Sequence, residues 1–167
     1  MATARSTDRR RRVLLVSASA VALLPAAGWA KPAAIPLEVW KDPSCGCCSD
    51  WVAHMETHGF KVTTHETGNN AVRAQLGIDR KYGSCHTAVV AGYALEGHVP
   101  AADVQRLLKE RPVARGLAVP GMPVGSPGMD GAMYEGRRDT YDVLLLARDG
   151  SAKVFSTYDG NKQGGKS

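Results

Sequence analysis

Hydrophobic positions along the chain follow two different periods, and each period indicates a type of element. Apolar residues at every second position are typical of half-buried strands. Apolar residues that recur every three or four positions are typical of amphipathic helices, as in 101–110, where Val104, Leu107 and Leu108 share one side. The pattern predicts strands over 35–41, 60–64, 87–90, 93–96, 141–147 and 153–158, and helices over 49–58, 70–76 and 101–110.

The order of these elements up to residue 110 is strand, helix, strand, helix, two strands and helix. This order predicts the α/β class and a thioredoxin-like fold, in which helices flank a central mixed sheet. Residues 116–136 are rich in Gly and Pro and predict an added irregular loop, which in a compact domain usually has a function. The last two strands predict a C-terminal hairpin around Arg148-Asp149-Gly150. We expect one domain over 31–159 and a disordered tail over 160–167.

The first thirty residues have the pattern of a cleaved signal peptide. A basic run over 9–12 precedes an apolar run over 13–24, and Gly28-Trp29-Ala30 provides a small-x-small cleavage site. The apolar run is shorter than the roughly 20 residues that a membrane span needs. The arginine run fits either a general secretory signal or a twin-arginine signal, and both routes stay open. We expect export to a bacterial periplasm, with no membrane attachment after cleavage.

The distribution of charge argues against a nucleic-acid partner. The formal net charge of the chain is +5, but residues 1–30 hold five Arg and one Asp, so the remainder carries only +1. The basic balance therefore belongs largely to the export signal. No polybasic block remains in the predicted mature chain to bind nucleic acid or anionic lipid.

The cysteines are the residues with the clearest chemistry. Cys45, Cys47 and Cys48 fall on the predicted turn from the first strand into the first helix. Cys45 and Cys48 have C-x-x-C spacing, and a helix N-terminus lowers the pKa of a thiol, which serves both disulfide exchange and metal ligation. Thioredoxin-like proteins carry a cis-proline before the facing strand, whereas this chain has Ser84-Cys85-His86-Thr87. A fourth thiol and an imidazole facing the first three cysteines predict a metal pocket rather than a peptide groove.

The number of cysteines also bears on the number of ions. Four thiolates in a partly buried pocket would repel one another and lose hydration, and bound cations offset that cost. Cys47 and Cys48 are adjacent and cannot easily face a single ion together, so we expect thiolates that bridge two or more ions. Ordinary disulfides, such as Cys45–Cys48 with Cys47–Cys85, remain an alternative that composition does not exclude.

Methionines and histidines complete the set of candidate ligands. Three methionines lie in the Gly/Pro-rich loop, where packing of a helix or strand does not account for them, and thiolate with thioether favours Cu(I). Among the histidines, the one adjoining Cys85 ranks first. The candidate ligands are Cys45, Cys47, Cys48, Cys85, His86, Met122 and Met129, with His54, His98 and Met133 as weaker candidates.

Several separated motifs resemble those of one known family. They are Trp40-Lys41-x-Pro43-x-Cys45-Gly46-Cys47-Cys48, Trp51-x-x-His54-Met55, Gly59-Phe60, Ser84-Cys85-His86-Thr87 and Glu96-Gly97-His98-Val99-Pro100. A further motif lies in the irregular loop over 116–136, called here the methionine-containing loop, and runs from Gly116-Leu117-Ala118-Val119-Pro120-Gly121-Met122-Pro123 through Ser126-Pro127-Gly128-Met129. With these motifs the chain resembles the DUF411 family of bacterial periplasmic metal-binding proteins, with its CopG-like copper-resistance members. The resemblance implies a thioredoxin-like domain that binds a polynuclear copper cluster and acts in copper or silver resistance. It also implies that the four cysteines ligate copper, and that Met122, Met129 and a histidine close the site.

The sequence therefore predicts a periplasmic copper-binding protein with a polynuclear Cu(I)/Cu(II) site, in copper resistance or copper redox handling. Its expected partners are copper ions and other periplasmic copper-resistance proteins, and we expect a monomer. Two alternatives stay open: a thiol–disulfide oxidoreductase that uses Cys45 and Cys48, and a structural zinc site of four cysteines. Enzymatic oxidation of copper is left open, because no electron-acceptor site is recognisable in the sequence.

Overall fold

The computed structural model describes residues 33–161. The predicted signal peptide over 1–30, and all but the first two residues of the predicted tail over 160–167, lie outside the described residues. The strands are β1 (Ile35–Lys41), β2 (Phe60–His65), β3 (His86–Val90), β4 (Tyr93–Glu96), β5 (Gly116–Ala118), β6 (Tyr141–Leu146) and β7 (Ala152–Tyr158). The helices are α1 (Gly46–Thr57), α2 (Asn70–Gln75) and α3 (Ala101–Glu110), with short 3-10 turns at Arg80–Tyr82 and Ala132–Tyr134.

The strands of this region form one mixed sheet in the order β2-β1-β3-β4-β5-β6-β7. β1 pairs parallel with β2 and antiparallel with β3, and β3 pairs antiparallel with β4. These four strands, with the helices between them, confirm the predicted α/β class and thioredoxin-like fold. β4 pairs parallel with β5, and the predicted C-terminal hairpin, β6 with β7, extends the same sheet.

One part of the predicted irregular loop is a strand, and the prediction for it was wrong. β5 lies inside the segment 116–136, and its three residues are buried between β4 and β6. Gly116 shows why the sequence signal was weak, because a Cβ at this position would overlap the backbone of Ala94. The close approach of two strands requires a glycine here, and a three-residue strand is too short for an alternating pattern.

Helix α1 begins three residues earlier than the sequence predicted. Its first backbone bond runs from the N–H of Ser49 to the carbonyl oxygen of Cys45 (3.3 Å), so Cys45 is the N-cap. The turn before it is closed by the N–H of Cys45 donating to Asp42 (3.0 Å). Cys47 and Cys48 therefore lie in the first helical turn, near the positive end of the helix dipole.

The core lies between the sheet and the two longer helices and anchors the cysteine-bearing end of α1. Trp51 and Met55 of α1 are fully buried, and the indole N–H of Trp51 donates to the carbonyl oxygen of Val99 (2.9 Å). Burial of a large apolar side chain stabilises a fold by about 1.5–3 kcal/mol. The sheet and α3 contribute other large members of the core, among them Leu37, Phe60, Leu95, Leu107 and Leu117. The start of α1 is thereby fixed against the sheet.

The helices of the described region are all too short or too polar to cross a membrane.

Candidate metal centre

The four cysteines converge at one end of the sheet. The start of α1 carries three of them, and the fourth, Cys85, lies directly before β3. Their four sulfur atoms all lie within 4.8 Å of one another. Because β3 is the antiparallel neighbour of β1, the chain before β3 faces the turn that follows β1. The fold therefore assembles residues that are up to 40 positions apart in the sequence.

The sulfur cluster contains one disulfide and two thiols. Cys45 and Cys48 are bonded, with their Cα atoms 5.4 Å apart, while Cys47 and Cys85 are free. The sulfur of Cys47 lies 3.7 Å from that of Cys45, and the sulfur of Cys48 lies 3.8 Å from the carbonyl oxygen of Cys85. Of the alternative pair of disulfides, the structure contains Cys45–Cys48 and does not contain Cys47–Cys85.

His98 points an unprotonated nitrogen at the sulfur cluster. Its Nδ1 donates to the carbonyl oxygen of Pro127 (2.8 Å), which accepts only, so Nε2 carries the lone pair. Nε2 lies 3.0 Å from the sulfur of Cys85. Burial lowers the pKa of His98 below 6.5, which keeps the ring neutral near pH 7. A ring nitrogen bonded to a backbone carbonyl, with the other facing a thiol, is the arrangement common for metal-ligating histidines.

His86 is the second imidazole beside the cluster. Its Nδ1 lies 3.4 Å from the sulfur of Cys85, and the ring packs between those of Trp51 (4.3 Å) and His98 (5.0 Å). The residue is fully buried, and its Nε2 has no hydrogen-bond partner among the described residues. Burial, and then the neighbouring His98, lower its pKa well below 6.5. Unsatisfied buried nitrogens are rare in folded proteins and call for an explanation such as an ion.

Cys85 is a neutral thiol in the metal-free protein. Its pKa is raised to about 12, mainly by burial and secondly by the neighbouring Cys47. Because Nε2 of His98 accepts, the thiol of Cys85 donates across the 3.0 Å contact. A metal ion that binds here must displace this proton, since the thiolate is the ligand.

The remaining predicted histidine has a different role. Nε2 of His54 accepts a hydrogen bond from the backbone N–H of Ala101 (3.1 Å), at the start of α3. Burial lowers the pKa of His54, and the adjacent His58 acts in the same direction. The structure groups His86 and His98 with Cys85 as possible ligands and does not group His54 with them.

The three loop methionines lie at different depths. Met129 is buried, and its thioether accepts a hydrogen bond from the hydroxyl of Tyr134 (3.3 Å). Met122 is half exposed and Met133 is 79% exposed. Of the three, only Met129 is therefore packed in the protein interior, and the other two side chains are exposed.

The methionine-containing loop covers the cysteines through its Pro127-Gly128 segment. Pro127 accepts from His98, and a Cβ at Gly128 would lie 2.5 Å from the carbonyl oxygen of Cys47. Gly128 also has a positive φ of 85°, which favours glycine. The loop is tied to the other side of the site where the hydroxyl of Ser84 donates to the carbonyl oxygen of Gly121. These contacts bring both ends of the 121–128 segment against residues of the site.

Sequence reasoning missed a buried polar group behind Cys85. Glu96 is fully buried, and its carboxylate accepts from Nε of Arg73 (2.8 Å) and the backbone N–H of Ser84 (2.7 Å). The motif Glu96-Gly97-His98 contained a signal, because an acidic residue next to a candidate ligand in an apolar strand needs a partner. The partner itself lies 23 residues away in the sequence and was not recognisable.

The donor set suits a soft ion. Sulfur from cysteine and methionine selects Cu(I), and neutral imidazole also suits copper and zinc. Nδ1 of His86 and Nε2 of His98 lie 3.4 and 3.0 Å from the sulfur of Cys85 and provide nitrogen donors beside the sulfurs. The residues present therefore fit copper, provided that the disulfide is opened.

Comparisons with known proteins agree with this site. The sequence profile of DUF411, described as a protein of unknown function, matches residues 82–129, which include Cys85, His98 and most of the methionine-containing loop. No curated protein sequence matches the chain. Two solved structures are similar, titled copper resistance protein copG, form 2 and form 1. The first is 49% identical, with a TM-score of 0.69, and the match covers 75% of this chain and 98% of that one. The second is 48% identical, with a TM-score of 0.70, over 76% and 99%.

Identity at this level over nearly the full length of both solved structures shows that the chain belongs to the DUF411 family of CopG-like proteins.

Proposed function

We propose that this protein is a periplasmic copper-binding protein that holds more than one copper ion and acts in copper resistance. The observation that carries the proposal is the convergence of four cysteine sulfurs within 4.8 Å, beside a histidine nitrogen whose lone pair faces them. Soft sulfur donors at this density match Cu(I) better than harder ions. The 48–49% identity to proteins titled copper resistance proteins supports the same ion.

Reduction of the Cys45–Cys48 disulfide makes all four cysteines available as ligands. Cys47 and Cys48 are consecutive in the first turn of α1, and the four clustered sulfurs suit bridging between two neighbouring ions better than ligation of a single ion. His98 supplies the lone pair of Nε2, because its Nδ1 carries the proton that is donated to Pro127, and burial lowers its pKa so that Nε2 stays free of a proton. Met129 in the covering loop offers the thioether that lies deepest, and Met122 is the second candidate.

The surrounding residues keep water from the bound ions. His86 and Trp51 are fully buried beneath the cluster, and Pro127-Gly128 lies across the start of α1. Copper cycles between Cu(I) and Cu(II), which differ by one electron. A sulfur-rich site shielded from water favours Cu(I) and would therefore keep the ion in that oxidation state. Export to the periplasm would explain the disulfide, since disulfides persist in oxidising compartments.

The test is an anaerobic titration of the reduced protein with Cu(I) against a competing chelator, with X-ray absorption to count sulfur neighbours. We expect more than one Cu(I) per chain in a sulfur-rich environment, and a lower capacity in Cys85→Ser. Zn(II) is titrated in parallel, because preferential retention of zinc would indicate a structural zinc site. A maximum of one Cu(I), or binding that Cys85→Ser leaves unchanged, would contradict a polynuclear copper site.

A thiol–disulfide oxidoreductase is the second candidate, favoured by the Cys45–Cys48 disulfide at a helix N-terminus. Cys85 stands where a peptide groove would need an open surface, which weighs against it. Reduction of insulin by the metal-free protein, lost in Cys45→Ser and retained in Cys85→Ser, would establish this activity instead.

A further inference from the structure

Ser84, the residue before Cys85, is held at both of its backbone polar groups by side chains. Its N–H donates to Oε1 of Glu96 (2.7 Å). Its carbonyl oxygen accepts from Nδ2 of Asn69 (3.2 Å) and from Nη2 of Arg73. That carbonyl belongs to the peptide group between Ser84 and Cys85. These hydrogen bonds therefore set the direction in which the side chain of Cys85 leaves the backbone.

The side chains that hold Ser84 are themselves a buried network. Glu96 is fully buried and Arg73 has only 13% of its side chain exposed, with Nε and Oε1 2.8 Å apart. The second oxygen of Glu96 accepts from the hydroxyl of Thr87 (2.6 Å), which also accepts from Asn69 (3.1 Å). Burial raises the pKa of Glu96, while the donors around it act in the opposite direction. Loss of one partner from such a pair is strongly destabilising locally, because it leaves a buried charge unpaired.

The network stands where the fold needs a rigid backbone. The segment between β2 and β3 has no proline, and the described residues contain no cis peptide bond that would fix its path. Rigidity must come from elsewhere, and the ion pair of Glu96 with Arg73 supplies it. Arg73 lies in α2, Glu96 ends β4, and Ser84, which both side chains hold, lies just before β3. The ion pair therefore joins three elements that are separate in the sequence.

We propose that Glu96 and Arg73 are positioning residues of the metal centre, which set the place of the Cys85 sulfur by fixing the backbone of Ser84. Neither side chain ligates the metal. Their effect on copper affinity rests on the proposed function, whereas their effect on the position of the Cys85 side chain does not. Partners one shell beyond metal ligands typically change metal affinity by about 10- to 100-fold when they are replaced.

The test compares Glu96→Gln and Arg73→Met with a matched control, Asp103→Asn. Asp103 is also buried, receives hydroxyl hydrogen bonds from Tyr158 (2.7 Å) and Ser156, and lies 3.7 Å from Arg106. It joins α3 to β7, away from the cysteines. Three quantities are measured for each variant: Cu(I) affinity of the reduced protein, urea unfolding, and the rate at which iodoacetamide alkylates Cys85 relative to Cys47 in the metal-free protein.

We expect both variants at the network to weaken Cu(I) binding by about 10- to 100-fold and to change the Cys85 alkylation rate. Asp103→Asn should lower stability and leave both other quantities unchanged. Equal copper affinity and alkylation in wild type and Glu96→Gln would overturn the proposal, as would an equal loss of affinity in Asp103→Asn. Glu96→Gln keeps the side-chain size and one acceptor oxygen, so it carries the test if Arg73→Met does not fold. If the wild type binds no copper, the proposed function fails, and Cys85 alkylation still tests the positioning.

Discussion

The sulfur of Cys85 lies 3.0 Å from Nε2 of His98, whose Nδ1 donates to the carbonyl oxygen of Pro127 (2.8 Å). This chain of contacts joins the start of β3, the segment between β4 and α3, and the methionine-containing loop. It also assigns the ring nitrogens without ambiguity, because a carbonyl oxygen only accepts. The histidine that the sequence ranked as a weaker candidate therefore has its lone pair directed at the cysteines.

His98→Leu tests this assignment. We expect Cu(I) affinity to fall by about tenfold or more, because loss of a ligand should weaken binding at least as much as loss of a residue that only contacts a ligand. The number of sulfur neighbours of copper should stay the same. The matched control is His54→Leu, which removes the acceptor at the start of α3 and should cost about 1 kcal/mol of stability, as loss of a helix cap does. The measurements are chelator competition and urea unfolding. Copper binding that is weakened equally by both substitutions would contradict a special role for His98.

The Cys45–Cys48 disulfide should limit the copper capacity of the protein. A dithiol reductant gives up two electrons and two protons to the disulfide, which becomes two thiols while the dithiol is oxidised. We expect the oxidised protein to bind fewer Cu(I) ions than the reduced protein, because two of its four sulfurs are not thiolates. Parallel anaerobic titrations of the two forms measure this difference. Equal capacity in both forms would show that Cys45 and Cys48 are not ligands.

Gly128→Ala should loosen the loop that covers the cysteines. A Cβ there would meet the carbonyl oxygen of Cys47 at 2.5 Å and the backbone nitrogen of Trp51 at 2.9 Å, so the loop must move away. Gly136→Ala is the matched control, since Gly136 also has a positive φ but an added Cβ meets open space. Both substitutions cost about 1–2 kcal/mol from the left-handed backbone, but only Gly128→Ala should weaken copper binding and raise the alkylation rate of Cys47. Indistinguishable alkylation in the two variants would argue against loop contact.

The methionines should differ in importance according to their burial. Met129→Leu keeps side-chain volume and removes the buried thioether, so we expect lower Cu(I) affinity with little change in stability. Met133→Leu, at a position that is 79% exposed, serves as the control and should bind copper normally. Chelator competition on both variants checks this expectation. Normal affinity in Met129→Leu would leave the thioether with a packing role only.

The metal-free protein should lose stability as the pH falls through 6.5. Burial lowers the pKa of His54, His86 and His98 in the folded state below the value of 6.5 that applies in the unfolded state. The unfolded state then binds more protons in acid, so stability is present above pH 6.5 and decreases below it. Urea unfolding between about pH 7.5 and 5.5, above the range in which carboxyl groups of ordinary pKa titrate, measures the effect. The raised pKa of Glu96 acts in the opposite direction, so the comparison with a histidine variant carries the test. His54→Gln keeps an acceptor that does not titrate and should reduce the slope; a flat profile in the wild type would refute the expectation.

Elements with a clear period were predictable from the sequence. The strand pattern over 35–41 and the amphipathic pattern over 101–110 coincide with β1 and α3. The start of α1 was placed too late, because Cys45 is not a residue type that usually caps a helix. β5 was missed, because a buried three-residue strand that begins with Gly116 leaves no alternation to read. Short, fully buried elements are defined by their neighbours rather than by their own pattern.

For this protein the sequence by itself determined the fold class, the meeting of three cysteines with a fourth, and the soft character of the proposed site. The fold class follows from local patterns, the meeting of the cysteines follows from that fold, and the soft character follows from residue types. Only the tertiary structure decided which histidine directs its lone pair at Cys85, which methionine is buried, and that Glu96 with Arg73 holds Ser84. Those outcomes depend on distances of about 3 Å between residues far apart in the sequence, which hydrogen-bond geometry and burial select and no local pattern encodes.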